Sequence, residues 1–133
     1  MKNKIVKSLL IIFCLLGLVG TSLISANNHS DTSFHFNLRG EKPQYTYSRP
    51  KTDASSSYAS VLSLYKVSSV TCFIVGPNGQ NVNSAYIGLG AGQSSYISQY
   101  VNEMGYTSCK LGVKNSYRIN SSTATGVWSP DSI

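Results

Sequence analysis

YTSCKLGVK, Tyr106 to Lys114, alternates: Cys109, Leu111 and Val113 fall on one side, and Ser108, Lys110 and Gly112 on the other. A helix would scatter these residues around its axis, whereas an extended chain sends successive side chains to opposite faces. The stretch therefore predicts a β-strand with one buried face. Asn115-Ser116 ends it with turn chemistry.

Outward from this strand the same period recurs. Val70 to Val75, around Cys72, is rich in β-branched and aromatic residues and predicts a second strand, and Tyr58 to Val67 a third. Phe34, Phe36 and Leu38 alternate with His35, Asn37 and Arg39, and Tyr45 and Tyr47 continue that pattern after a break at Gly40 to Pro43. Gly76-Pro77-Asn78-Gly79 carries the sharpest turn signal and should send the chain back through Asn81 to Leu89. Tyr117 to Ile119 offers a short pairing segment and Ala124 to Trp128 a closing strand, while residues 48–57 and 88–95 have loop composition. Tyr96 to Met104 fits helical spacing, with Gly105 as C-cap, as well as alternation; its all-β surroundings favour a strand or irregular loop. About seven short strands separated by turns predict an all-β antiparallel β-sandwich.

The beginning of the chain has a different character. Lys2, Lys4 and Lys7 precede an apolar run from Leu9 to Val19 and the small-residue site Ile24-Ser25-Ala26. This is the pattern of an export signal, residues 1–26, cleaved after Ala26. An uncleaved anchor is the alternative, although the run is short for a span of roughly 20 residues. Residues 27–133 then form a single secreted, extracellular domain with no integral membrane span. Its eight basic and five acidic residues leave +3 of the formal +6, too little to argue for nucleic acid.

Cys72 and Cys109 both lie on apolar-patterned faces. In an exported protein they are candidates for one disulfide joining sheet to sheet, with two buried reduced thiols as the alternative. Trp128, close to the end, reads as a core or lid residue that holds the terminus down, or as a surface ring that binds a ligand.

Chemistry for catalysis is sparse. The described motifs of serine hydrolases, zinc proteases and phosphate-binding loops are missing, and Gly88-Leu89-Gly90-Ala91-Gly92 lacks the strand–helix context of a dinucleotide site. His29, His35, Cys72 and Cys109 lack metal-ligand spacing. Glu103 and Asp131 are the acids that could meet for glycosidic chemistry, with unpaired surface acids the commoner case. We expect no enzyme, cofactor or metal. Nine tyrosines in a serine-rich background suit recognition as well as strand formation. The basic loop with Arg49 and Lys51, near Tyr45 and Tyr47, makes the best local patch for an anionic partner, with Trp128 as a further candidate.

Phe34-His35-Phe36, Tyr47-Ser48-Arg49-Pro50-Lys51-Thr52, the run from Tyr100 through Tyr106 into Cys109 to Asn115, and Gly126-Val127-Trp128-Ser129-Pro130-Asp131-Ser132 carry a resemblance. In this order they resemble a group of small secreted proteins of uncharacterised function from Bacillus-like Gram-positive bacteria. More distantly the chain is similar to lactococcin-type bacteriocins, which are smaller and richer in His and Trp. The resemblance implies secretion and a β-sandwich and transfers no catalytic residue. Two functions are expected from it and from the residues: a non-enzymatic, bacteriocin-like or envelope-binding module engaging a cell-envelope component or another cell surface, or a matrix-associated structural protein that self-assembles through sheet edges.

Overall fold

The computed structural model describes residues 28–132; the expected export signal lies outside them. Among the described residues there are nine strands: β1 (Thr32–Arg39), β2 (Gln44–Tyr45), β3 (Arg49–Pro50), β4 (Ser57–Tyr65), β5 (Val70–Val75), β6 (Ile87–Leu89), β7 (Ser94–Ile97), β8 (Ser108–Asn115) and β9 (Ser121–Ser129). They form two antiparallel sheets, one ordered β1-β9-β4-β7, the other β2-β8-β5-β6 with β3 also on β8. The chain is thus an all-β sandwich, and it changes sheet at most connections; β5 and β6 are the one consecutive pair bonded to each other.

Alternation is what lets each sheet bury one face. In β8, Cys109, Leu111 and Val113 are fully buried, facing the other sheet, where Leu38, Val61, Ile97 and Trp128 complete the core. Each such aliphatic side chain contributes about 1.5–3 kcal/mol on burial. Two close approaches use glycine. Phe34 sits opposite Gly126 in the β1–β9 register, and a Cβ on Gly126 would lie 2.5 Å from the ring's Cζ. Phe73 sits opposite Gly112 in the β5–β8 register, with the same 2.5 Å approach.

Several expectations are adjusted by local hydrogen bonding. The Gly76–Gly79 turn forms, with the Gly79 N–H donating to Gly76 O at 3.1 Å. The strand expected from Asn81 is cut to one bridge, Val75 with Asn81, and resumes at Ile87. Ser84 Oγ accepts the Ile74 N–H at 2.8 Å, taking a donor that a longer strand would have used. Tyr117 to Ile119 forms no strand: Tyr117 Oη instead accepts the Ser68 N–H at 2.9 Å, which joins the β8–β9 connection to the β4–β5 connection. Ser94–Ile97 is strand, and the helical spacing further on comes from a single turn in which the Met104 N–H donates to Tyr100 O.

The cysteines correct the expected staple. Both are buried and free, and both lie in the same sheet. Cys72 is opposite Val113, four residues along β8 from Cys109. At about 3.4 Å per residue the two Cα atoms are roughly 14 Å apart, twice what a disulfide spans at most, about 7 Å. Burial pushes each thiol up to about 12, so neither is a nucleophile at neutral pH.

Candidate functional site

Four of the residues singled out above meet in one place. Tyr45, Tyr47, Arg49 and Trp128 line a groove of about 570 Å³ between the outer edge of β1 and the segment that carries β2 and β3. The groove exists because β1 and β2–β3 are edges of different sheets, so no strand closes the seam between them. Tyr47 is 95% exposed there, whereas Trp128 is 1% exposed. Trp128 is therefore a core residue, and the ligand-binding alternative for it gives way.

Arg49 is engaged by the protein itself. Its guanidinium lies 5.5 Å from the centroid of the Trp128 ring and donates to Trp128 O, Thr32 Oγ1, Asn28 Oδ1 and Ser30 O at 2.8–3.1 Å. This ties the entry to β1 onto the end of β9. Burial lowers the Arg49 pKa, opposed by the charges of Asp31 and Asp131 among others, and the group stays cationic.

Lys51 is buried rather than part of a surface patch. Its Nζ donates to Asp131 Oδ1 at 2.6 Å and to Asp53 O and Ser55 O at 2.7 Å each. Asp131 also accepts from the Asn28 N–H at 2.8 Å and from Thr52 Oγ1 at 2.6 Å. Burial would raise this carboxyl, but the hydrogen bonds from Lys51, Thr52 and Asn28 outweigh it and hold the group well below the usual carboxylate range. Asp131 is thus a tether with its acceptor capacity used, which removes it from any pairing with Glu103, an exposed residue of the 101–105 turn. The basic loop expected to meet an anionic partner turns its two cations inward. His35 lies on the exposed face of β1 with Nδ1 2.9 Å from Thr125 Oγ1.

What reaches solvent is a row of rings across the second sheet. Tyr45 on β2 and Phe73 on β5 are both opposite Gly112 of β8, and Tyr86 immediately precedes β6 beside Phe73. Tyr86 stacks on Phe73 with centroids 4.6 Å apart and planes at 19°; Tyr45 meets Phe73 edge-on at 6.0 Å and 87°. Such contacts add about 0.5–1.5 kcal/mol per pair beyond burial. Phe73 is only 4% exposed beneath its neighbours, while Tyr45 is 44% and Tyr86 60% exposed. Lys114 places Nζ 5.5 Å from the Tyr86 centroid. Tyr45 lines the seam groove as well as a second hollow of about 330 Å³ over this row, so the two surfaces are continuous through one residue.

Phe73, Gly112 and Lys114 were not singled out from sequence as site residues, and Tyr86 only as one of the nine tyrosines. The signal was present: in Val70–Val75, Phe73 has the opposite parity to Cys72 and Ile74, which puts an aromatic on the outer face, and Lys114 shares a face with Gly112 on β8. Among the described residues no group of three or more His, Cys, Asp or Glu converges as metal ligands, and no helix is long and apolar enough to cross a membrane.

The chain matches no curated protein. A family model described as "Protein of unknown function (DUF2712)" matches residues 21–132, which spans the whole sandwich. The chain therefore belongs to the DUF2712 family of proteins of unknown function.

Proposed function

We propose that this protein is a secreted, non-catalytic binding module that engages a cell-envelope component through the aromatic surface running from Tyr47 through Tyr45 to Tyr86. The observation that carries the reading is the pair of exposed rings, Tyr45 and Tyr86, held against Phe73 on the outer face of a sheet. Exposed tyrosines fixed by packing lose little side-chain entropy on contact, which suits recognition. Export follows from the signal pattern of residues 1–26, and the likeness to lactococcin-type bacteriocins makes antagonism of competing cells the specific form to test.

The test combines a challenge of Gram-positive indicator strains with a pull-down on purified cell walls, using the secreted protein and its Tyr86→Ala variant. Growth inhibition and wall binding, both weakened in the variant, support an antagonist; wall binding alone supports an adhesion module. Absence of both overturns the reading. A second reading, assembly through sheet edges, is favoured by one feature: β1 is eight residues long and, among the described residues, pairs only with β9, leaving its other edge open along the groove. Sedimentation across a concentration series would show reversible oligomers if that edge drives association.

A further inference from the structure

Building on the reading of this surface as a recognition site, we propose that the hollow between Tyr45 and Tyr86 is a glycan subsite that holds a neutral pyranose ring. The hollow, about 330 Å³, has Phe73 as its floor and the two tyrosines beside it, with Glu41, Lys114 and Asn81 at its rim. Its walls are preorganised, because Tyr86 is stacked on Phe73 and Phe73 rests on Gly112, where no side chain intervenes.

The rim selects among ligand classes. Among the described residues neither Glu41 nor Lys114 forms an ion pair, so a carboxylate acceptor and an ammonium donor both remain for a ligand. The Oδ1 of Asn81 accepts the Asn83 N–H at 2.9 Å, which leaves its Nδ2 to donate. A sugar hydroxyl both donates and accepts, and the C–H face of a pyranose is apolar enough to lie on a tyrosine ring, so one ring uses walls and rim together. A nucleic-acid strand would stack as well, but the Glu41 carboxylate repels its phosphates, and binding of that kind requires a cationic track. A purely apolar peptide would leave Glu41 and Lys114 desolvated without partners.

The experiment titrates the secreted protein with the tetramers of N-acetylglucosamine, cellobiose-type glucose and maltose-type glucose, and with a short oligothymidylate, by calorimetry and by amide NMR shifts. The expected result is binding of a tetrasaccharide that changes little with salt, shifts centred on Tyr45, Phe73 and Tyr86, and an affinity loss of tenfold or more in Tyr86→Leu at an unchanged melting temperature. Lys114→Gln is the second variant, expected to lose several-fold, in case Tyr86→Leu disturbs the fold. Wall binding without any tetrasaccharide binding overturns the sugar subsite while leaving the envelope reading intact. Tetrasaccharide binding without wall binding does the reverse. Oligothymidylate binding with a steep salt dependence, or shifts confined to β1, overturns the subsite by assigning another ligand or another place.

Discussion

Phe34 over Gly126 and Phe73 over Gly112 are the same local device in two different sheets, the first on an inner face and the second on an outer face. In each, the tip of a phenylalanine ring reaches the glycine across from it in an antiparallel register. Phe34 faces the other sheet and stacks, centroids 5.5 Å apart, with Phe36, a partly buried residue packed against the core. Phe73 faces away from the other sheet and supports two exposed tyrosines. The pairing itself thus decides nothing about function; the side of the sheet does. The lysines repeat the contrast, with Lys51 sealed against Asp131 and Lys114 free to meet solvent above Tyr86.

Substitutions on the inward side should be costly and those on the outward side should act on binding. The largest effect is expected from Asp131→Ala, which takes from the buried Lys51 ammonium the closer of its two carboxylates, leaving Asp53 Oδ1 at 3.4 Å, and should cost about 3–5 kcal/mol in chemical denaturation. The same tether sets a pH dependence. The native pKa of Asp131 is depressed, so its stabilisation is complete above the unfolded value of about 4 and is lost as pH falls below it. Melting temperature should drop below about pH 4 in the parent and drop less steeply in Asp131→Ala; equal slopes would remove the tether from the account.

Gly126→Ala comes next. The new Cβ meets Phe34 and the Ser60 carbonyl, part of the backbone of a central strand, so about 3 kcal/mol is expected. Gly112→Ala meets only the Phe73 ring among its nearest contacts. That ring can swing outward, so about 1 kcal/mol is expected, together with loss of wall or glycan binding as the Tyr86 stack is displaced. If the two alanine variants cost the same, the inward and outward sites are energetically alike and the comparison breaks. Lys114→Gln should leave stability within about 0.5 kcal/mol, as a substitution of a half-buried surface residue without an ion pair does. The smallest effect belongs to the thiols: a reductant should leave melting unchanged, and Cys72 and Cys109 should resist alkylation until the protein is denatured.

Much of the sandwich was legible because alternation is local. Val70–Val75 matches its expected bounds, β1 and β8 fall where period-two runs placed them, β4 (Ser57–Tyr65) overlaps the expected Tyr58–Val67, and β9 (Ser121–Ser129) contains the expected Ala124–Trp128 and begins earlier. The outward parity of Phe73 and Lys114 was legible in the same way. Partners across the chain were not. Arg49 and Lys51 sit in a polar stretch that looks solvent-exposed, yet the closer of the two carboxylates that Lys51 meets, Asp131, is 80 residues away. Cys72 and Cys109 share the inward parity expected of them, but parity does not say which strands adjoin or at what offset.

By itself, then, the sequence determined the strand class, the approximate strand positions and the face each side chain takes, since these follow from the two-residue repeat of an extended chain. Tertiary structure alone decided that the two cysteines share a sheet four residues out of register, that the basic loop is turned inward onto Asp131, and that Tyr45, Phe73 and Tyr86 form one surface above Gly112. Each of these depends on how strands distant in the chain are ordered and registered. That choice is made by the whole core closing at once, and no short window of residues contains it.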